Sequence, residues 1–278
     1  MTMRKALAVA VLFVTAGLVG CGSNVFEGVS DSSGSQAQME EGLAALDAER
    51  WDEAIEIFSA MDAGDPDVGR YLASAYVGKA GFDALTLVER IAEAQEGNGD
   101  QSVLYESVTE IFDEDRDGVI DTAELEEKMC LFRQALDVLG AGGSGASRVL
   151  AAVDSSRMTD TEIFQMGLYA AIHAVLGVVA QLDPPGSDVY LLTLGALRDH
   201  PEVIESVEVP QGFDTDLAWV REAVLVLSPE LIVDGEVTDG NDLAKDLDEF
   251  LREIGYLPGE HVTGEELRTY LYGLVGLE

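Results

Sequence analysis

The sequence predicts an all-α fold, because apolar residues recur at intervals of three and four along most of the chain. Residues that start or end helices stand at the borders of these runs, and the alternation typical of strands is nowhere sustained. Only the segments 207–209 and 231–237 could form short extended pieces. The segments 188–197 and 201–207 are candidates for short helices. A longer helical run, 213–227, places on a single face Leu217, Val220, Val224 and Leu227.

The N-terminus has the form of a secretory signal. Arg4 and Lys5 precede an apolar run over 6–20 that is too short to span a bilayer comfortably as a permanent helix. The motif LVGC follows and ends at Cys21. It resembles the lipobox of bacterial lipoproteins, in which the cysteine carries lipid and becomes the first residue of the mature chain.

The resemblance implies a signal peptide over 1–20, lipid on Cys21 and attachment to the cell envelope. An ordinary signal peptide or a signal anchor remains an alternative. Glycine, not aspartate, follows Cys21. The resemblance therefore implies an outer-membrane lipoprotein that faces the periplasm. Residues 21–35 are rich in Gly, Ser and Asp and predict a flexible tether.

The formal net charge of −37 is strongly acidic. A surface of this charge repels nucleic acid and anionic lipid head groups, and we expect neither as a partner. A general acidic shift of the source organism's proteins would give the same balance. With lipid on Cys21, Cys130 has no disulfide partner, and its apolar neighbours predict a buried, unreactive thiol.

Residues 36–98 predict helical hairpins. The small residues Gly42 and Ala54, the aromatic Phe58 and Pro66 are spaced as in a tetratricopeptide repeat, which this segment resembles. In that repeat, small residues allow two helices to approach, the aromatic ring fills the groove, and the proline ends the second helix. A second, looser copy around Tyr76 lacks the proline. The alternative is a helical hairpin of no particular family.

The acidic segment 113–124 is the motif that carries chemistry. Its acids alternate around a glycine, Gly118, and it resembles the calcium loop of an EF-hand at every defining position. Apolar faces before and after it predict an entering and an exiting helix. The residues expected to hold a calcium ion are Asp113, Asp115, Asp117, Val119 through its carbonyl, Asp121 and Glu124. A solvated acidic turn is the alternative.

EF-hand loops usually pair through a short β contact at their eighth position, which is Ile120 here. No second loop in the sequence matches the ligand spacing. The acidic segment 234–242 has the wrong spacing, and we interpret it as a turn, with an irregular second site as the alternative. An unpaired extracellular site is expected to bind calcium with a Kd on the order of 10⁻⁴ to 10⁻³ M. We expect a permanently filled, structural ion in preference to a sensor.

Residues 163–180 form the most apolar stretch after the predicted signal. A membrane-spanning helix is one alternative, but a central helix buried by its neighbours fits an exported, lipid-anchored protein better. Thr159 and Glu162 could cap its start. The pair Thr263 and Glu266 predicts the same capping pattern for the last helix.

Catalytic patterns are missing from the sequence. His173, His200 and His261 are far apart, and none has a neighbouring His or Cys at metal-ligand spacing. His173 lies on an apolar helix and is expected in the core. No nucleophile–base pattern appears, so we expect no enzyme.

These patterns together predict a membrane-anchored, non-enzymatic helical scaffold that binds calcium and serves protein–protein interaction or envelope assembly. The alternative is a periplasmic small-ligand binding component of a solute uptake system, with a pocket near Tyr76, Phe82 and Tyr169. A purely structural lipoprotein is the third possibility. The predicted regions are a signal peptide 1–20, a tether 21–35, repeat-like hairpins 36–98, an EF-hand helix–loop–helix 99–139 and a C-terminal helical region 140–278.

Overall fold

The computed structural model describes residues 34–62, 65–82, 103–113, 116–141, 155, 158–184, 188–227, 242–258 and 260–277. Contacts divide the chain into two compact units, Met1–Gln38 and Met39–Glu278. Of the first unit, only the start of a helix at 34–38 is described. The predicted signal peptide, Cys21, most of the tether, the second helix of the looser repeat copy, Asp115 and the acidic segment 234–241 lie outside the described residues.

The described residues form ten α-helices, one 3₁₀ helix and two short strands, which confirms the all-α prediction. In chain order the elements are α1 Ser35–Asp47, α2 Trp51–Ser59, α3 Pro66–Lys79, α4 Val103–Phe112, β1 Val119–Asp121, α5 Thr122–Ala141, α6 Asp160–Val179, β2 Val189–Leu191, α7 Leu194–Asp199, the 3₁₀ helix Pro201–Ser206, α8 Phe213–Leu227, α9 Asp242–Glu253 and α10 Gly264–Val275.

Helix α6 is the centre of the core. It packs against α8, α5 and α4, and nearly all its residues from Ile163 onward are buried. By length and composition it could cross a membrane, but 83% of its apolar window is covered by the rest of the protein. Thr159 and Glu162 form the expected capping box at its start. The predicted buried central helix is therefore confirmed.

Helices α1 to α3 build a second, smaller apolar cluster around Phe58. Gly42 on α1 faces the Phe58 ring so closely that a Cβ there would lie 2.6 Å from it. Asp65 caps α3 through the Asp67 amide, and Pro66 is the first residue of that helix. The small residue and the aromatic thus meet as the repeat pattern predicts, while the tetratricopeptide assignment itself stays a prediction.

Two predictions from the sequence are wrong. The helix expected over 188–197 starts only at Leu194, because Val189–Leu191 pairs with β1 as a strand. A short apolar run is compatible with both a helix and a strand, and only the distant partner strand β1 decides between the two. Cys130 is exposed, since the buried face of α5 runs through Lys128, Leu131 and Phe132, and Cys130 lies on the other side of the helix.

The close contact of α6 with α8 can be tested at Gly167. A Cβ there would lie 2.3 Å from Ala223 Cβ and 2.7 Å from the Trp219 carbonyl oxygen. Gly167→Ala should lower the free energy of unfolding by about 3 kcal/mol through overpacking, measured by denaturant titration. Gly273→Ala is the matched control, because a Cβ on this exposed helical glycine meets nothing within 4 Å. It should stabilise the protein by about 0.5–1 kcal/mol. If the two substitutions change the free energy of unfolding equally, the close packing of α6 against α8 at Gly167 is contradicted.

Candidate metal centre

The acidic loop joins α4 to α5 and is fixed by buried residues at both ends. Phe112, the last residue of α4, is buried among Phe82 and Phe132. Ile120 in the second half of the loop is also buried, while Arg116 and Asp117 at its tip are exposed. The apolar residues therefore anchor the loop to the core, and its acidic tip faces solvent.

The tip folds through a tight turn at Gly118, where φ is +80°. Its backbone N–H donates to Asp113 Oδ1 at 3.2 Å, and the Val119 N–H donates to Asp117 Oδ1 at 3.0 Å. A Cβ on residue 118 would lie 2.8 Å from the Thr193 hydroxyl oxygen. Glycine is required here both by the backbone conformation and by the neighbouring chain.

Asp121 is the last residue of β1 and directly precedes the exiting helix α5. Its Oδ1 accepts a hydrogen bond from the Glu124 backbone N–H at 2.8 Å, as an N-cap side chain does. The loop positions 1, 5 and 9 thus each use a carboxylate oxygen to hold the loop's own backbone. These bonds orient Asp113, Asp117 and Asp121 before any ion is present.

Strand β1 pairs antiparallel with β2, and the register is symmetric about one residue pair. Ile120 lies opposite Tyr190, and the pairs on either side are Val119 with Leu191 and Asp121 with Val189. Outside the strands the Leu192 N–H donates to the Gly118 carbonyl at 2.9 Å, and the Thr122 N–H approaches the Asp188 carbonyl at 3.4 Å. Two helix–loop–helix segments, α4–α5 and α6–α7, therefore meet through their loops.

The register allows the segment around β2 to be compared with the partner loop of an EF-hand pair, which the ligand spacing had not revealed. With Tyr190 opposite loop position 8, position 1 of the partner loop is Asp183 and position 12 is Leu194. The sequence puts Pro185 at position 3 and Leu191 at position 9. The partner loop keeps the pairing strand but lacks the carboxylates that calcium needs. The apolar run 189–192 after Asp188 was the signal that could have found it.

The structure describes Asp113, Asp117, Asp121 and Glu124 but not Asp115. Within that part of the chain, no three acid, histidine or cysteine side chains gather closely enough to hold a metal. Glu124 turns towards Lys128, whose Nζ lies 3.1 Å from Glu124 Oε1. The donor chemistry nevertheless fits calcium, a hard cation that takes oxygen ligands at flexible angles, and the tight turn at Gly118 fits the loop it requires.

His173 and Asp216 form a buried pair between α6 and α8. His173 Nδ1 lies 2.7 Å from Asp216 Oδ2, and both side chains are almost fully covered. His173 Nε2 has no hydrogen-bond partner among the described residues. The prediction that His173 is a core residue is confirmed, and its hydrogen-bond partner Asp216 is new.

A second polar group lies where α9 packs against α4. Burial, and to a lesser degree the charge of nearby Glu249, raises the pKa of the Glu253 carboxyl to about 7. Burial also raises the pKa of the Tyr105 hydroxyl on α4 and that of the Tyr270 hydroxyl on α10. These groups lie beside the entering helix of the acidic loop, but none of them belongs to the loop.

Comparisons of the chain with protein-family models, with curated proteins and with solved structures found no match.

The requirement for glycine at position 118 can be separated into its two causes. Gly118→Ala should lower the free energy of unfolding by about 3 kcal/mol in chelator, because the backbone is strained and the Cβ meets Thr193. Gly212→Ala is the control, since Gly212 has a similar φ of +85° and a Cβ there meets nothing within 4 Å. It should cost only about 1 kcal/mol. If the two costs are the same, the contact with the partner loop does not constrain residue 118.

Proposed function

We propose that the chain is a lipid-anchored, non-enzymatic envelope protein that binds one calcium ion in the loop 113–124 and serves as a scaffold for another protein. The ion would be held by Asp113, Asp115, Asp117, Asp121 and Glu124 with the Val119 carbonyl. It would neutralise crowded carboxylates and fix α4 relative to α5.

The observation that carries the proposal is the symmetric pairing of the two loops through Ile120 and Tyr190. An acidic turn without a metal function would need neither a strand partner nor the bond from the Gly118 amide to Asp113. Both features are expected of a calcium loop in a paired helix–loop–helix, and they support that interpretation over a solvated turn.

The composition of the partner loop supports one ion and not two. Leu191 and Leu194 occupy positions where an EF-hand needs oxygen donors. With a single, partly solvated site, the Kd is expected on the order of 10⁻⁴ to 10⁻³ M. Calcium outside the cytosol is plentiful, and a site of this strength suits an exported protein.

The scaffold role rests on the hairpin of α1, α2 and α3, which resembles a peptide-binding repeat. The alternative function, small-ligand binding, is less well supported. Two of the aromatic residues expected to line its pocket, Phe82 and Tyr169, are buried edge-on against Phe132 and fill the core. The acidic surface agrees with a protein partner that carries basic groups, and it disfavours nucleic acid.

Calcium titration of the purified full chain in mild detergent tests the metal site. Calorimetry should give heat for a single site, and 10 mM calcium should raise the unfolding free energy by about 2–3 kcal/mol for a Kd near 10⁻⁴ M. Glu124→Gln should abolish both effects, because it removes the residue that would bind with two oxygens. Glu126→Gln, which removes the same charge at an exposed position on the same helix, should retain them. If neither heat nor a melting shift is seen, calcium binding is wrong.

Lipid attachment is tested in cells of a bacterium that processes lipoproteins. Labelled fatty acid should enter the full chain, and the protein should fractionate with membranes. Cys21→Ser should abolish both, whereas Cys130→Ser should change neither, since Cys130 is an exposed thiol far along the chain from the predicted processing site. Label that persists in the Cys21→Ser variant would rule out this anchor.

A further inference from the structure

Lys128 is a buried cation, with only 8% of its surface exposed. It lies one helical turn after Glu124 on α5. Taking an ammonium group out of water is costly unless nearby groups compensate its charge. The partners of Lys128 are therefore a strong constraint on the structure around the loop.

Three groups from three parts of the chain surround the Lys128 ammonium. Nζ lies 3.1 Å from Glu124 Oε1 and donates to the Ala80 carbonyl oxygen at 3.2 Å. It also lies 5.1 Å from the centre of the Phe112 ring. Phe112 precedes the first loop position, Glu124 is the last position, and Ala80 caps the C-terminal end of α3. Lys128 thus connects both ends of the loop to the hairpin.

This arrangement conflicts with calcium ligation by Glu124. The last residue of an EF-hand loop binds the ion with both carboxylate oxygens. Here one of those oxygens is occupied by an ammonium group, and a buried positive charge beside the site repels a divalent cation. The Glu124 side chain is 42% exposed, so it has room to turn from Lys128 towards the loop.

We propose that Lys128 sets the calcium affinity of the loop by competing for Glu124, and that it links the loop to the C-terminal end of α3. This inference rests on the proposed calcium function and deepens it. When Glu124 turns to the loop, Lys128 keeps the Ala80 carbonyl and the Phe112 ring as its partners. The carbonyl end of a helix attracts positive charge, so the contact with α3 strengthens as the contact with Glu124 is lost.

The chain contains its own reporter of this link. Trp51 at the start of α2 packs on Gly78, where a Cβ would lie 2.6 Å from the indole ring, and Gly78 is two residues before Ala80. The other tryptophan, Trp219, lies on α8. Trp219→Phe therefore leaves a single tryptophan whose emission reports the end of α3.

The experiment compares calcium affinities of the full chain by calorimetry. Lys128→Gln keeps a hydrogen-bond donor for Ala80 without the charge, and Lys128→Met keeps the apolar stem. Both should bind calcium at least about tenfold more tightly than the wild type. Arg133→Met removes the same charge from an exposed position on α5 and should change the affinity less than about twofold. Circular dichroism in chelator checks that each variant is folded.

A fluorescence experiment tests the link between the loop and the end of α3, and its first measurement is made on a protein that keeps Lys128. In the Trp219→Phe protein, calcium should shift the Trp51 emission, and the added Lys128→Met substitution should remove the shift while binding persists. A Trp51 signal that does not respond to calcium in the protein with Lys128 would overturn the link, even if the Lys128 variants do not fold.

The outcomes separate this inference from the proposed function. If the wild type binds calcium and both Lys128 variants bind equally or less tightly, Lys128 does not compete for Glu124, while the calcium function stands. If the wild type binds no calcium but a Lys128 variant does, the proposed calcium function of the wild type is wrong, while the competition of Lys128 for Glu124 is supported. If no variant binds calcium, both the proposed function and the inference are wrong.

Discussion

The pairing of β1 with β2 constrains more of the structure than its three residue pairs indicate. It fixes Ile120 in the core, and it sets where α5 starts, because Asp121 belongs to the strand and also caps that helix. The start of α5 in turn sets which residues face inward, including Lys128 one turn after Glu124. On the other side, the same pairing holds the chain between α6 and α7. The buried central helix and the acidic loop are thus parts of one arrangement.

Because the chain is strongly acidic, a buried cation has a large effect on the electrostatics around it. The chain has 53 acidic residues and only 16 lysines and arginines. Most negative charges lie in solvent, where water and salt screen them. Lys128 is different, because its ammonium is covered by α3, α4 and α5 and cannot be screened in the same way. The charge of Lys128 therefore acts on Glu124 at short range and with little screening.

Local patterns in the sequence were sufficient for much of this description. Helical spacing and capping residues predicted the positions of α6, α8 and α10, since those features depend on residues three or four apart. The burial of Cys130 was predicted wrongly because the prediction relied on the residues next to it in sequence. In a helix, burial depends on the residues that share the same face. The partner strand, the His173–Asp216 pair and the contact of Lys128 with the Ala80 carbonyl join residues 43 to 72 positions apart. No local pattern contains such pairs. The spacing of Glu124 and Lys128 on one helix suggests their ion pair, but it does not indicate that Lys128 is buried against the Ala80 carbonyl, on which the proposed competition depends.

The contacts of Lys128 also bear on whether the proposed calcium ion would be only structural. Linkage between two sites is reciprocal: if an ion in the loop changes the end of α3, a change at α3 must alter the affinity for the ion by the same factor. A protein bound to the α1–α3 hairpin would therefore shift calcium affinity through Ala80 and Lys128. A weak site with an internal competitor suits such coupling. It is partly filled over a range of calcium concentrations in which small changes in affinity alter its occupancy. The contacts of Lys128 with Glu124 and with the Ala80 carbonyl are the path through which the proposed calcium site and the proposed protein-binding surface would be coupled.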